Sequence, residues 1–270
     1  MTIPQMLFLV VVFSLLSCRL NKEIDLELPP YEEKTMVECY LEPGKPYRIF
    51  LTKSISYFDS LYPVVQNAVI TIRYHNQIDT LQFNPSYDTT GAKLYLYQSN
   101  HIVPHSYDTL YHLNIEEENG NVITAQTSLL KPVAIDTITT SFSDAAKGNV
   151  SIHVRFKDNP LTTDYYRLIV TVNNLIGDGK NSDDLWSDVN LQTSNMVMDV
   201  TDRFDKNDTL IVTLAHVSKE FYDFSSSVKQ AEKANGNPFV QPSAIKSNVS
   251  GNAIGIFAGY TYSRDTIIVK

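Results

Sequence analysis

The residues whose chemistry is most clearly indicated lie near the start of the chain, where an apolar run at 6–16 is followed by Ser17 and Cys18. An apolar segment that ends in a small residue and then cysteine is typical of bacterial lipoprotein signal peptides. In those proteins the cysteine thiol is acylated and the peptide is cut just before it. A helix of this length reaches about 17 Å, whereas the hydrocarbon core of a bilayer measures about 30 Å. We therefore expect residues 1–17 to be a signal peptide and Cys18 to carry lipid.

The segment that follows, residues 18–34, predicts a tether. It is polar and acidic and contains Pro29 and Pro30. Such a segment buries little apolar surface and stays extended. The protein would then be attached to the membrane through the lipid at Cys18, and the tether would separate the folded body from the bilayer.

The net charge and the cysteine content of the chain exclude several kinds of partner and of stabilising bond. The formal net charge of −8 argues against a nucleic acid partner, because binding to phosphates needs clustered cations. It also argues against attachment to anionic lipid by electrostatics. The chain has two cysteines, so acylation of Cys18 leaves Cys39 without an intramolecular partner. Cys39 alternates with Val37 and Leu41, and we expect it to point inward as a small apolar side chain.

A first body domain is predicted over residues 35–130. The chain has 16 tyrosines and 12 phenylalanines, residues that favour strands. Seven short strand-like runs separated by turn residues fit an immunoglobulin-like or transthyretin-like β-sandwich. These runs are 36–41, 47–53, 68–74, 78–83, 93–97, 109–115 and 122–129.

A second, β-sandwich-like domain is predicted over residues 131–270, with Lys131-Pro132 as the junction. One helix is expected near 218–234, because apolar residues recur there at three- and four-residue spacing, and Asn235-Gly236 supplies the left-handed conformation that ends it. The predicted fold class is thus all-β, with two β-sandwich-like domains and a single helix. Strands are expected at 150–156, 165–172, 210–214 and 266–269.

The candidate ligand site is a polar acidic loop at 177–188, with Trp186 beside Asp183 and Asp184. An exposed indole next to carboxylates is suited to sugars or basic peptides. Calcium is an alternative for this loop and for the cluster of Asp202, Asp205 and Asp208. Neither segment has EF-hand spacing, and Lys180 and Arg203 neutralise part of each. We expect solvated acidic loops, with no bound metal and no cofactor.

Motifs for catalysis are weak. The chain has neither a G-x-S-x-G elbow nor a glycine-rich phosphate loop. His101 and His105 are four apart, but in a strand this spacing separates them by about 13 Å, too far for one zinc ion. A non-enzymatic protein is therefore expected. A hydrolase of glycans or peptides is the less favoured alternative, because paired carboxylates from distant strands leave no local motif.

Short elements after the predicted helix resemble a known family. They are NPF at 237–239, QP at 241–242, SN at 247–248 and GIF at 255–257. Their order resembles the end of a Bacteroidota outer-membrane lipoprotein family of unknown function, the DUF4249-like proteins. Cys18, the acidic start at 22–25 and the run LTKS at 51–54 also match, so the resemblance extends over essentially the mature chain. A departure is Asn252-Ala253, where a second glycine is expected.

The resemblance implies a cellular role but no catalytic residues. Such proteins are typically encoded beside TonB-dependent receptors and are regarded as accessory lipoproteins of nutrient uptake. The expected function is therefore an outer-membrane lipoprotein that captures a glycan or peptide for a TonB-dependent receptor. The alternative is a structural or adhesive envelope protein of the fimbrillin type. The acidic stretch after Cys18 only loosely resembles the surface-export signal, so the cell surface and the periplasmic face both stay open.

A repeated tripeptide suggests a modification. Asp followed by Ser or Thr and then an aliphatic residue or Thr resembles the O-glycosylation signal of those bacteria. The same pattern also arises wherever Asp ends a turn and Thr begins a strand, so both interpretations stand. The candidate hydroxyls are those of Ser60, Thr80, Thr89, Thr109, Thr137, Thr209 and Thr266.

Substitution of Cys18 by alanine tests the anchor in the native cell. We expect the wild-type chain to sediment with membranes and the Cys18→Ala chain to be lost from them, because the acyl group supplies the attachment. The measurement is fractionation followed by immunoblotting. Unchanged sedimentation of the variant would contradict lipidation.

Overall fold

Alternation of apolar and polar residues produces the first two strands. Val37, Cys39 and Leu41 are fully buried on one face, while the residues between them lie on the other. In this computed structural model the described residues are 31–56, 63–89, 92–144, 149–172, 181–191, 193–235 and 244–270. The signal peptide, Cys18 and all but the end of the predicted tether lie outside these ranges.

The described residues contain fourteen strands and one helix, so the expected mainly-β class is confirmed. The elements are β1 (Thr35–Leu41), β2 (Pro46–Lys53), β3 (Val69–Tyr74), β4 (Gln77–Asp88), β5 (Lys93–Ile102), β6 (Leu110–Glu116), β7 (Val122–Ser128), β8 (Ile135–Asp144), β9 (Asn149–Lys157), β10 (Tyr165–Val172), β11 (Asn181–Ser187), β12 (Asn195–Arg203), β13 (Thr209–Val217), α1 (Lys219–Ala234) and β14 (Ala253–Ile268).

Eleven of these strands form one sheet, in the order β11-β10-β13-β14-β1-β2-β5-β4-β3-β6-β7. The other three form a small sheet in the order β12-β9-β8. The paired strands are antiparallel, except that β1 and β14 run parallel. The parallel pair is the seam at which the early and late parts of the chain meet.

Strand β14 belongs to both halves of the large sheet. Its first part, 253–259, pairs with β1, and its second part, 260–268, pairs with β13. Residues 33–270 form one compact unit. The predicted division into two sandwich-like domains at residue 131 is therefore not confirmed, because the sheet continues across it.

Two separate cores nevertheless lie on either side of this seam. The first is built from strands of the N-terminal half and includes the fully buried rings of Tyr97, Tyr111 and Phe257. In the second, side chains of the small sheet, such as Phe156, pack with side chains of β10 and β13, such as Tyr166. A third cluster joins α1 to the seam through Phe221, Ile256 and Ala258.

The helix is confirmed at the predicted place. Ser218 caps its first turn, since its hydroxyl accepts a hydrogen bond from the Phe221 N–H at 3.3 Å. At its end Asn235 is extended, with φ −65°, and Gly236, the other residue of the predicted stop signal, lies outside the described residues. Among the described residues, α1 included, no helix is both long enough and apolar enough to cross a bilayer.

The N-terminal strand predictions are confirmed, and Cys39 is buried as expected. Burial raises the pKa of the Cys39 thiol to about 12, so it stays protonated and inert at neutral pH. In the C-terminal half the predicted loop at 177–188 is wrong for residues 181–187, which form β11. Strands β8 and β12 lie outside the predicted set.

The SN and GIF elements pair with each other in space. The Asn248 side chain accepts a hydrogen bond from the Phe257 N–H at 2.9 Å and donates one to the Phe257 carbonyl at 2.8 Å. Ser247 Oγ contacts both backbone groups of Gly255 at 3.0 Å. These side chains therefore hold the backbone of β14 in place from the segment that precedes it.

Substitution of Gly255 tests how much the seam contributes to stability, because β1 and β14 approach each other too closely at this residue for any side chain. Its φ is +148°, and a Cβ atom would lie 2.7 Å from the Val37 carbonyl carbon and 2.8 Å from the Val37 nitrogen. We expect Gly255→Ala to lower the free energy of unfolding by about 3 kcal/mol, measured by urea denaturation. Gly120→Ala is the control, since Gly120 also has positive φ but nothing lies within 4 Å. Its cost should be about 1 kcal/mol, and equal costs for both variants would contradict the steric argument.

Candidate functional site

A concentration of charged and aromatic side chains lies on the outer face of the large sheet, opposite the first core. On β1 the period of two that buries Val37 and Cys39 places Glu38 and Tyr40 on this face. Across the seam, Tyr260 and Tyr262 of β14 occupy the same face. The alternation that buries apolar side chains on one face of the sheet therefore forms a polar, aromatic surface on the other face.

This surface is concave and forms a groove of about 540 Å³. We call it the seam groove. Strands β11, β10, β13, β14 and β1 line it in succession, followed by β5, and Phe221 of α1 closes one side. Its volume falls within the range of about 300–1,000 Å³ that is typical of ligand pockets.

One half of the seam groove centres on a bidentate ion pair. The Arg167 Nε and Nη2 atoms each lie 2.8 Å from an oxygen of Asp183. Lys229 of α1 approaches the same carboxylate, with its Nζ 3.6 Å from Oδ1. The guanidinium also lies 5.7 Å from the Phe221 ring and 5.9 Å from the Tyr260 ring. These contacts fix its orientation toward the groove.

Electrostatic interactions in this half of the seam groove keep both Arg167 and Asp183 charged. Burial alone would raise the pKa of Asp183, but the hydrogen bonds and charge of Arg167 hold it below the ordinary value. Burial alone would likewise lower the pKa of Arg167, and Asp183 raises it instead. The pair is therefore ionised throughout the neutral range.

The other half has two cations that lie over tyrosine rings. Lys93 Nζ is 2.5 Å from Glu38 Oε2 and 4.2 Å from the centre of the Tyr40 ring. The guanidinium of Arg48, at the border of the groove, is 4.1 Å from the centre of the Tyr95 ring. Each ring face thus holds a cation in a defined position.

Three tyrosines of the seam groove, Tyr40, Tyr95 and Tyr260, stay neutral. Burial, the largest influence in each case, raises the pKa of Tyr95 to about 12 and also raises the pKa of Tyr40 and Tyr260. Their hydroxyls therefore remain able to donate hydrogen bonds. With fixed cations, carboxylates and hydroxyls on an aromatic floor, the groove is suited to bind a polar ligand that carries several hydrogen-bonding groups.

The predicted ligand residues do not assemble into one site. Because β11 is a strand, Asp183 faces the seam groove, whereas Asp184 and Trp186 lie on the opposite face. Trp186 is half-buried against the second core. Their ligand-binding role stays a prediction, and only Asp183 lies in the groove.

Other predicted positions are placed as follows. The hydroxyl-bearing residues Thr80, Thr89, Thr137 and Thr266 are exposed, while Thr109 and Thr209 are half-buried and Ser60 lies outside the described residues. In the Asp202–Asp208 cluster, Asp208 Oδ2 accepts a hydrogen bond from the Asp205 N–H at 2.8 Å, which closes a turn. Glycosylation stays a prediction at each candidate position.

Comparison with known proteins identifies a family without a known activity. A family model described as a domain of unknown function (DUF4249) matches residues 21–266, which is most of the chain. The matched range includes every residue that lines the seam groove. No curated protein matches this chain.

The Arg167–Asp183 pair makes a prediction for stability and its dependence on pH. We expect Asp183→Ala to cost about 2 kcal/mol at pH 7, less than a fully buried pair, because the two side chains are 29% and 36% exposed. Since the folded-state pKa of Asp183 is lowered, its contribution is present above the ordinary carboxylate pKa. It is lost as pH falls through the lower folded-state value.

Urea denaturation at pH 7 and at about pH 3 checks this prediction. The difference between wild type and Asp183→Ala should shrink in acid. Asp184→Ala is the matched control on the other face of β11, with an expected effect within about 0.5 kcal/mol. A constant difference at both pH values would rule out the ion pair as its cause.

Proposed function

We propose that this chain, which belongs to the DUF4249 family, is a non-enzymatic lipoprotein of the outer membrane that captures a glycan or peptide for a TonB-dependent receptor. Its lipid would be attached at Cys18 and the seam groove would hold the ligand. The observation that carries the proposal is the groove itself. It offers cations, carboxylates and neutral phenols on one concave surface.

The chemistry of the groove favours recognition over reaction. Its carboxylates are held in ion pairs, Asp183 with Arg167, Glu38 with Lys93, and Glu42 and Asp88 with Arg48. Because Arg167 lowers the pKa of Asp183, this carboxylate loses its proton well below neutral pH and is a poor general acid. The same fixed charges are good hydrogen-bonding partners for sugar hydroxyls or peptide groups.

The tether predicted at 18–34 supports a role close to a membrane partner. An extended segment of this kind would let the body reach a receptor while the lipid stays in the bilayer. A body attached in this way could cover the mouth of a receptor or deliver ligand to it. The proposal applies equally to a protein on the cell surface and to one on the periplasmic face of the outer membrane.

Binding to glycan and peptide arrays tests the ligand-capture role. We expect Arg264→Ala and Tyr262→Ala to weaken binding at least tenfold, about 1.4 kcal/mol, because both side chains line the groove and the guanidinium lies 5.0 Å from the ring. Tyr87→Ala is the control, since Tyr87 is 62% exposed and lies outside the groove lining. If the wild type and the three variants bound the ligand equally well, the groove would not be the ligand site.

The receptor is sought by affinity purification of the tagged, lipidated protein from detergent-solubilised outer membrane. Recovery of a TonB-dependent receptor supports the proposal. Its consistent absence, with other envelope proteins recovered instead, supports the structural or adhesive alternative. Turnover of an array glycan or peptide by the wild-type protein would support the hydrolase alternative.

A further inference from the structure

Three aspartates from two loops, β9–β10 and the segment after β11, meet at one end of the second core, away from the seam groove. Asp158 directly follows β9, Asp164 directly precedes β10 and Asp188 directly follows β11. One carboxylate oxygen of each lies within 4.8 Å of the others. We call this group the aspartate triad.

Two oxygens of the triad are buried and receive no hydrogen bond from a donor group in the part of the chain that the structure describes. They are Oδ2 of Asp158 and Oδ2 of Asp188. Asp188 is only 2% exposed, so its charge is almost completely removed from water. A buried carboxylate oxygen without a donor is costly, and natural proteins rarely retain one unless a ligand or ion completes the site.

The remaining oxygens are held by donors that orient the triad. The Tyr166 hydroxyl donates to Asp158 Oδ1, and the Asp164 N–H donates to Asp188 Oδ1 at 2.7 Å. Asp164 Oδ2 accepts from the Thr162 hydroxyl at 2.5 Å. Carboxylates that bind metals are commonly oriented by outer contacts of this kind.

One further side chain contacts the triad. His216 Nδ1 lies 2.8 Å from the Lys131 carbonyl, and Nε2 lies 3.1 Å from Asp164 Oδ1. Three carboxyl groups this close together repel one another when ionised, and a divalent cation between them offsets that repulsion.

From this geometry we propose that the aspartate triad binds one calcium ion. Calcium prefers oxygen ligands at about 2.3–2.6 Å, distances that let one ion bridge oxygens up to about 5 Å apart. Zinc favours nitrogen and sulfur ligands, whereas the triad offers carboxylate oxygens, and the one imidazole found beside it in the described part of the chain, that of His216, contacts Asp164. Water molecules and loop carbonyls would complete the coordination.

The ion would join the two sheets that enclose the second core. Asp158 extends from the small sheet, whereas Asp164 and Asp188 belong to strands of the large sheet. Calcium would replace the repulsion among the three carboxylates by shared bonds and stabilise the ends of β9, β10 and β11.

Thermal unfolding of the full chain, stripped with EGTA and then titrated with calcium chloride, tests the proposal. We expect saturating calcium to raise the wild-type Tm by about 5 °C or more. Asp188→Asn should lose the shift, whereas Asp184→Asn on the same strand should keep it. In EGTA, Asp188→Asn should be at least as stable as wild type, because the substitution removes a buried, unpartnered charge.

A direct readout is terbium luminescence, excited through Tyr166, whose hydroxyl contacts Asp158. The signal should be displaced by calcium and absent in Asp188→Asn. Asp158→Asn is a second variant that should also lose it. The absence of a calcium-dependent Tm shift, an equal shift in Asp188→Asn, or a larger shift with zinc than with calcium would each overturn the assignment.

Discussion

The structure depends on the parallel pairing of β1 with β14. This pairing converts two sets of antiparallel strands into one eleven-stranded sheet, because β14 continues from β1 to β13. The approach is so close that glycine is required at residue 255, opposite Val37. Ser247 and Asn248 hold the same strand from its other flank. Much of what distinguishes this fold from two independent sandwiches lies in these few contacts.

The seam groove is a consequence of that pairing. Its floor combines Tyr40 from β1 with Tyr260 and Tyr262 from β14, so the groove exists only where the strands are joined. Arg167 reaches it from β10, two strands beyond β14 in the sheet order. Ligand binding and the integrity of the sheet are therefore coupled, since a change in register at the seam would flip side chains between core and groove.

Local pattern was sufficient for the N-terminal strands, the helix and the family itself, all of which are confirmed. Alternation of Val37, Cys39 and Leu41 correctly predicted which side of β1 is buried. Local pattern failed at β11, where Asp183, Asp184 and Trp186 suggested a loop. Pairing with β10 overrides the weak strand propensity of aspartate, because Arg167 neutralises Asp183 on one face and the second core takes Trp186 on the other.

The seam groove was beyond any local pattern because its residues are distant in sequence, and the aspartate triad was beyond one because Asp188 joins Asp158 and Asp164 only through the pairing of β11 with β10. One signal was nevertheless present. Arg167 interrupts an otherwise apolar strand, and a cation in a central strand requires a partner on the same face. No comparable signal marks Asp158 and Asp164, which resemble the polar residues found in ordinary turns.

The seam also has a consequence for the order in which the protein can fold. Until β14 has been synthesised, β1 and β13 each present a row of unsatisfied backbone groups, because β14 supplies the partner of both. Exposed edges of this kind recruit other strands and promote aggregation. A nascent chain therefore leaves both edges unpaired until β14 has emerged, and closure of the large sheet is a late step of folding.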